Sequence, residues 1–116
     1  PRLLARNGLS FEDIAVWEIH EAFAAQVLIN RACMADAGFV HTRLGRDCPV
    51  GEIPMDALNP WGGSLSLGNP FAATGGRLFM TACQRLQASG KRYAVISTCA
   101  GGGLGAAILL EHPDAL

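Results

Sequence analysis

Three residues in this 116-residue chain carry side chains suited to acid–base or covalent chemistry and stand where one element gives way to another: His20, Asn69 and Cys99. An imidazole exchanges protons near neutral pH, a carboxamide donates and accepts hydrogen bonds without titrating, and a thiolate serves as base or nucleophile. His20 follows the apolar, β-branched run 14–19 and opens His20-Glu-Ala-Phe23. Asn69 lies in residues 59–76, which hold five glycines and two prolines around the short alternation Ser64-Leu-Ser-Leu67. Cys99 ends the run 93–98 and leads into Gly101-Gly-Gly103. In α/β architectures ligands gather at the carboxyl ends of parallel strands, so three polar groups at three element ends form a candidate constellation.

Each also has a structural reading. A lone His before a helix is more often a cap or a satisfied core group. Asn at an N-cap followed by Pro at N1 is simply a good helix start, and on the residues alone that reading is the stronger one. Cys99 can be a small buried hydrophobe, and the three glycines a tight hairpin. The hairpin does not exclude a role, because backbone N–H groups freed at a glycine turn are also what an oxyanion hole is made from.

The elements that position these groups follow from the pattern. Asn7-Gly8 reads as a helix stop, with Ser10 capping a short turn. Residues 14–19 read as a central, parallel strand. A helix runs from there to about Met34, apolar nearly all round and so expected to be mostly buried. Residues 35–60 lose any periodicity apart from a helical turn near residues 40–44, and a run of that length points to function. Residues 64–67 read as a short strand that stops at Gly68 and turns directly into a helix beginning at Pro70. Gly75 and Gly76 in its first turns cost about 1 kcal/mol each against Ala, which calls for a close backbone neighbour. Gly90 ends that helix, and residues 93–98 and 104–110 form two further strands. Met55, Trp61 and Met80 read as packing residues. His41 and His112 have no partner in view. A dinucleotide site at residues 101–105 is ruled out, because the spacing is not G-x-G-x-x-G and a strand follows.

Composition fixes the class. Half the residues are hydrophobic and 16% are charged, which implies one densely packed domain. A net charge of −1, with Lys91-Arg92 the only adjacent basic pair, predicts no attraction to nucleic acid or anionic membrane. No apolar run approaches the roughly 20 residues of a bilayer span, and no signal peptide is visible. Cys33, Cys48, Cys83 and Cys99 form no C-x-x-C pair, so neither zinc nor a redox dithiol is expected, and a reducing compartment fits. The chain begins with Pro1 rather than Met and reads as part of something longer.

Taken together, three segments resemble the C-terminal half of a thiolase. His20-Glu-Ala-Phe23 resembles the family's N/H-E-A-F motif, in the His form typical of the fatty-acid β-oxidation (trifunctional-complex) branch. Residues 62–75 resemble the G-G-x-x-x-x-G-H-P motif and its continuation, and Cys99-Ala-Gly101 resembles C-x-G. Gly51-Glu-Ile-Pro-Met-Asp56 is similar to the run before the glycine stretch in that branch. The resemblance spans residues 8–111 and implies a layered α/β fold, with a mixed five-stranded-type sheet and helices on both faces. It implies an acyl-CoA C-acyltransferase that joins or cleaves 3-ketoacyl-CoA thioesters, with coenzyme A and acyl-CoA as substrates and no bound cofactor or metal. Cys99 would move a proton on and off the substrate's α-carbon or the leaving thiol. The Gly101 N–H would hold a thioester oxygen, and His20 a catalytic water or that oxygen. Phe23, Gly68 and Pro70, which flank these groups in the motifs, would meet substrate. The implied setting is the cytoplasm, or the mitochondrial matrix in a eukaryote, with a homo-oligomer as the full-length form.

Two departures stand out. The acylated Cys of the family belongs to the N-terminal half, and none of Cys33, Cys48 or Cys83 has a similar context. The chain alone is therefore expected to be inactive and to need that half. Asn69 stands where thiolases carry the His of G-H-P, and a carboxamide cannot take up a proton. Condensing enzymes of the ketosynthase type pair Cys with His and Asn, so this chain also resembles that arrangement. A catalytically silent acyl-CoA- or partner-binding domain is the third reading.

Overall fold

In the computed structural model, which describes residues 1–115, a three-stranded sheet carries helices and loops on its two faces. Strand β1 (Ile14–Ile19) pairs in parallel with β2 (Tyr93–Ala100), and β2 pairs antiparallel with β3 (Leu104–Glu111). The sheet is thus mixed, with three strands among the described residues where five were expected. β1 is parallel as expected but lies at an edge, its far side met by a single bridge between Trp17 and Leu58.

The helices are α1 (Arg2–Arg6), α2 (Ala24–Ala35), α3 (Ala37–Leu44), the single turn α4 (Ser64–Leu67) and α5 (Thr74–Ser89). α5 lays Leu78, Ala82 and Leu86 on Val16, Ala94 and Ile96. On the opposite face Leu4 of α1, Phe11 and Ile53 pack with Ile14, Trp17 and Val95. A register shift between Ile14 and Val16 lets Trp17 join Ile14 on that second face. Gly90 ends α5 in the left-handed conformation at φ 63°, as the sequence implied.

Several expectations change. Residues 64–67 are a helical turn, not a strand: they have no partner to pair with, and Gly63 and Gly68 at its two ends bound one turn closed by Leu67 N–H to Gly63 C=O. Pro70 does not begin a helix directly; a 3₁₀ turn over Phe71–Ala73 intervenes, entered through Phe71 at φ 49°, and α5 starts at Thr74. α3 covers two turns rather than one. α2 buries only Val27 and exposes Leu28 and Ile29, because this chain supplies a wall for one of its faces alone. Met55, Trp61 and Met80 are all more than half exposed and are not packing residues. The built Cβ of Gly75 meets only a Thr98 methyl at 4.0 Å and that of Gly76 meets nothing, so no close neighbour within this chain explains the pair.

The aperiodic stretch 45–60 is structural at its centre. Ile53 is fully buried, and Arg31 of α2 holds its carbonyl at 2.8 Å. Arg85 of α5 donates to the Trp17 and Ala57 carbonyls and to Glu18, joining helix, strand and loop at one guanidinium.

Candidate active site

β1 and β2 run parallel, so their carboxyl ends open on the same side of the sheet. A cavity of about 930 Å³ lies there, between those ends, α2, the 3₁₀ turn and the first turn of α5. His20, Phe23, Asn69, Cys99 and Gly101 all line it. Three residues separated by up to 79 positions in the chain thus meet at one void. Gly68 and Pro70 are not among its lining residues; Gly68, at φ 100°, turns the chain between α4 and Asn69.

His20 is held from three sides. Its backbone N–H donates to the Ser97 carbonyl at 2.8 Å, its ring Nδ1 lies 2.7 Å from Ser64 Oγ, and the side chain is buried. The peptide before it is clamped by Asn59, whose Oδ1 accepts from Ile19 N–H while Nδ2 donates to Ile19 C=O, each at 2.8 Å. That Nδ2 also donates to Glu21 Oε1, and Glu21 Oε2 accepts the Leu65 N–H at the open end of α4. A carboxylate at a helix N-terminus satisfies an otherwise orphaned donor. A Cβ on Gly63 would collide with this carboxylate, which is the physical reason for glycine there.

Asn69 serves two ends at once. Its Oδ1 accepts from Phe71 N–H at 3.1 Å and from the Thr74 hydroxyl at 2.7 Å. The structural reading of Asn69 as an N-cap with Pro70 at N1 does not hold as stated: Pro70 is itself the N-cap of the 3₁₀ turn and Ala73 that of α5, and Asn69 ties the two together from one residue further back. Both bonds fall on the oxygen, which leaves the Nδ2 donor with no acceptor among the described residues. Cys99 pairs with Gly105 across the hairpin, and its thiol is solvent-exposed. It is not the buried small hydrophobe of the alternative reading.

Beneath the site sits a buried charge pair. Glu18 and Arg85 meet at 2.6 Å, and burial pushes the Glu18 carboxyl above its ordinary value despite the guanidinium bonded to it. Sequence reading missed Glu21, Asn59, Ser64 and Arg77, which surround His20 without touching the cavity. The one available signal was adjacency: Glu21 follows His20, and Ser64 follows the paired glycines.

The chain matches the family model described as "Thiolase, C-terminal domain" over residues 1–112. It belongs to the thiolase C-terminal domain family. Over 111 residues it is 46% identical to the mitochondrial trifunctional enzyme subunit beta of Bos taurus and 49% identical to a probable 3-ketoacyl-CoA thiolase of Caenorhabditis elegans. Each alignment covers 96% of this chain, but 23% and 25% respectively of the relative. Human mitochondrial 3-ketoacyl-CoA thiolase superposes with a TM-score of 0.72 at 31% identity, over 95% of this chain and 24% of that one. The peroxisomal 3-ketoacyl-CoA thiolase of Saccharomyces cerevisiae, a five-layered structure built from two core domains of identical topology, gives 0.69 at 35%. This thiolase domain thus spans about a quarter of the length of the proteins it resembles, and its layered α/β fold is theirs.

Proposed function

We propose that this chain is the C-terminal domain of an acyl-CoA C-acyltransferase that interconverts 3-ketoacyl-CoA and shorter acyl-CoA thioesters by thiolysis and Claisen condensation. The observation that carries this reading is the meeting of imidazole, carboxamide, thiol and glycine-turn backbone at one cavity on a thiolase-family chain. In thiolysis a cysteine of the N-terminal half attacks the 3-keto carbonyl, and the bond between the α- and β-carbons breaks. Cys99 delivers a proton to the departing α-carbon, then takes one from the incoming CoA thiol as that sulfur attacks the acyl-enzyme. His20 and the Gly101 N–H stabilise the oxyanions that develop, and fixed donors in a dry site do so by several kcal/mol. Phe23 borders the acyl-CoA path, and Gly68 and Pro70 set the direction in which Asn69 enters. No bound cofactor or metal is needed for these steps.

The same reading assigns the missing nucleophile to an N-terminal half that completes the site, within a two-domain protein that forms homo-oligomers. No helix among the described residues is long and apolar enough to cross a membrane. Four unpaired cysteines suit a reducing compartment, cytoplasm or mitochondrial matrix.

Asn69→His in the full-length protein tests the assignment. Histidine at this position supplies, beside the cavity, the titratable ring nitrogen that a carboxamide lacks. Thiolysis is expected to rise. A fall would favour Cys-His-Asn condensing chemistry, with the carboxamide already a working donor. No thiolysis by either form would mark a domain that binds without catalysing.

A further inference from the structure

Ser64 Oγ stands between two groups of fixed character. Arg77 NH2 lies 2.9 Å away and can only donate, so it occupies a lone pair of the hydroxyl. His20 Nδ1 lies 2.7 Å away on the other side, and Ser64 itself is buried. Among the described residues the hydroxyl proton has one acceptor within reach, and that acceptor is Nδ1. Only one arrangement satisfies both the Ser64 hydroxyl and Nδ1: Arg77 NH2 donates to Ser64, Ser64 donates to His20 Nδ1, and the ring proton sits on Nε2, although Arg77 Nε and NH1 are buried without a partner among the described residues. The opposite tautomer would put a second donor on Ser64 Oγ and leave the hydroxyl proton buried without a partner, the costly half of hydrogen-bond accounting. A ring carrying hydrogens on both nitrogens meets the same conflict at Ser64 Oγ. Two carboxylates also lie in this region: Glu21, engaged by Asn59 and Leu65, and Glu18, engaged by Arg85. His20 Nε2 has no partner among the described residues and is not sealed from solvent, while the residue lines the cavity.

We propose that Ser64 and Arg77 are positioning residues that hold His20 as the neutral Nε2–H tautomer, so that it meets a ligand oxygen as a hydrogen-bond donor and does not act as a base. This rests on the reading of the cavity as a thioester site, and it narrows the duty of His20 there to oxyanion stabilisation. The source of the constraint is a guanidinium, which donates and never accepts, relayed through one hydroxyl.

The test is long-range ¹H–¹⁵N correlation NMR on the full polypeptide carrying this chain, labelled with ¹⁵N-histidine, with His20 assigned by its loss in His20→Asn. At pH 7 His20 should show an unprotonated Nδ1 and a protonated Nε2, with this tautomer in at least about tenfold excess. Ser64→Ala should reduce that excess, and Ser64→Thr, which keeps the hydroxyl, should restore it. An Nδ1–H or doubly protonated ring in the unmodified protein overturns the proposal without any Ser64 variant. An unchanged pattern in Ser64→Ala overturns it as well. None of these readouts needs turnover. A protein with the expected tautomer but no thiolysis would sink the thioester reading and leave this one standing.

Discussion

Gly63→Ala is the substitution for which the structure makes the sharpest demand. The backbone of Gly63 is extended, at φ −109° and ψ −164°, so alanine meets no conformational strain there. The obstacle is the Glu21 carboxylate, which occupies the volume a Cβ needs. Moving it breaks the bonds from Asn59 Nδ2 and Leu65 N–H, at 2.8 and 3.0 Å. Hydrogen bonds to a charged group contribute about 1.5–3 kcal/mol each, and partial exposure of this pair reduces the sum to roughly 2–3 kcal/mol. The smaller entropy of the unfolded alanine chain returns about 0.5 kcal/mol. Gly63→Ala should therefore destabilise by about 2 kcal/mol. In a Glu21→Ala background the same change should cost nothing or stabilise slightly, a coupling of about 2 kcal/mol. Urea unfolding followed by the fluorescence of buried Trp17 measures all four corners of the cycle. Effects that add to within about 0.5 kcal/mol would refute the claim that glycine is present to admit the carboxylate.

Gly76→Ala should stabilise by about 0.5–1 kcal/mol, because the residue is helical and exposed with open space where its Cβ would stand; a lower urea midpoint would show that something outside this chain contacts it. Glu18 has its folded pKa raised above the ordinary 4.5, so the stability it contributes is fully present below that pH and is lost as pH rises through the raised value. Glu18→Gln should flatten that part of the stability–pH curve, and an unchanged curve would locate the titration elsewhere. The isolated chain should self-associate, since Phe23, Leu28, Ile29, Leu104 and Ile108 are each at least half exposed; a clean monomer at high concentration by light scattering would argue against a domain that needs a companion half.

The outline of the fold was readable because its strands obey simple rules. Residues 14–19 and 93–98 are mostly apolar runs rich in β-branched residues, and both became parallel strands with buried centres. Gly90 and the glycine hairpin at 101–103 fell where their conformational freedom placed them. Residues 64–67 were misread because alternation over four residues is equally compatible with one helical turn, and the deciding factor was an acceptor 44 positions away, on Glu21. α2 was misread for a related reason: an all-round apolar helix signals burial but not which polypeptide supplies the cover. His20, Asn69 and Cys99 were visible because they terminate elements. Glu21, Asn59, Ser64 and Arg77 were not, because a residue that acts through another leaves its mark in distances rather than in spacing.

Asn59 gives Ile19 what an adjacent strand's peptide unit would give, one acceptor and one donor at matching height. The imitation comes from the side chain of a residue at φ 46°, a conformation asparagine tolerates better than most, so a single substitution both erases it and strains the loop backbone. Asn59→Ser or Asn59→Ala would thus loosen the seat of the imidazole and the Glu21 carboxylate together.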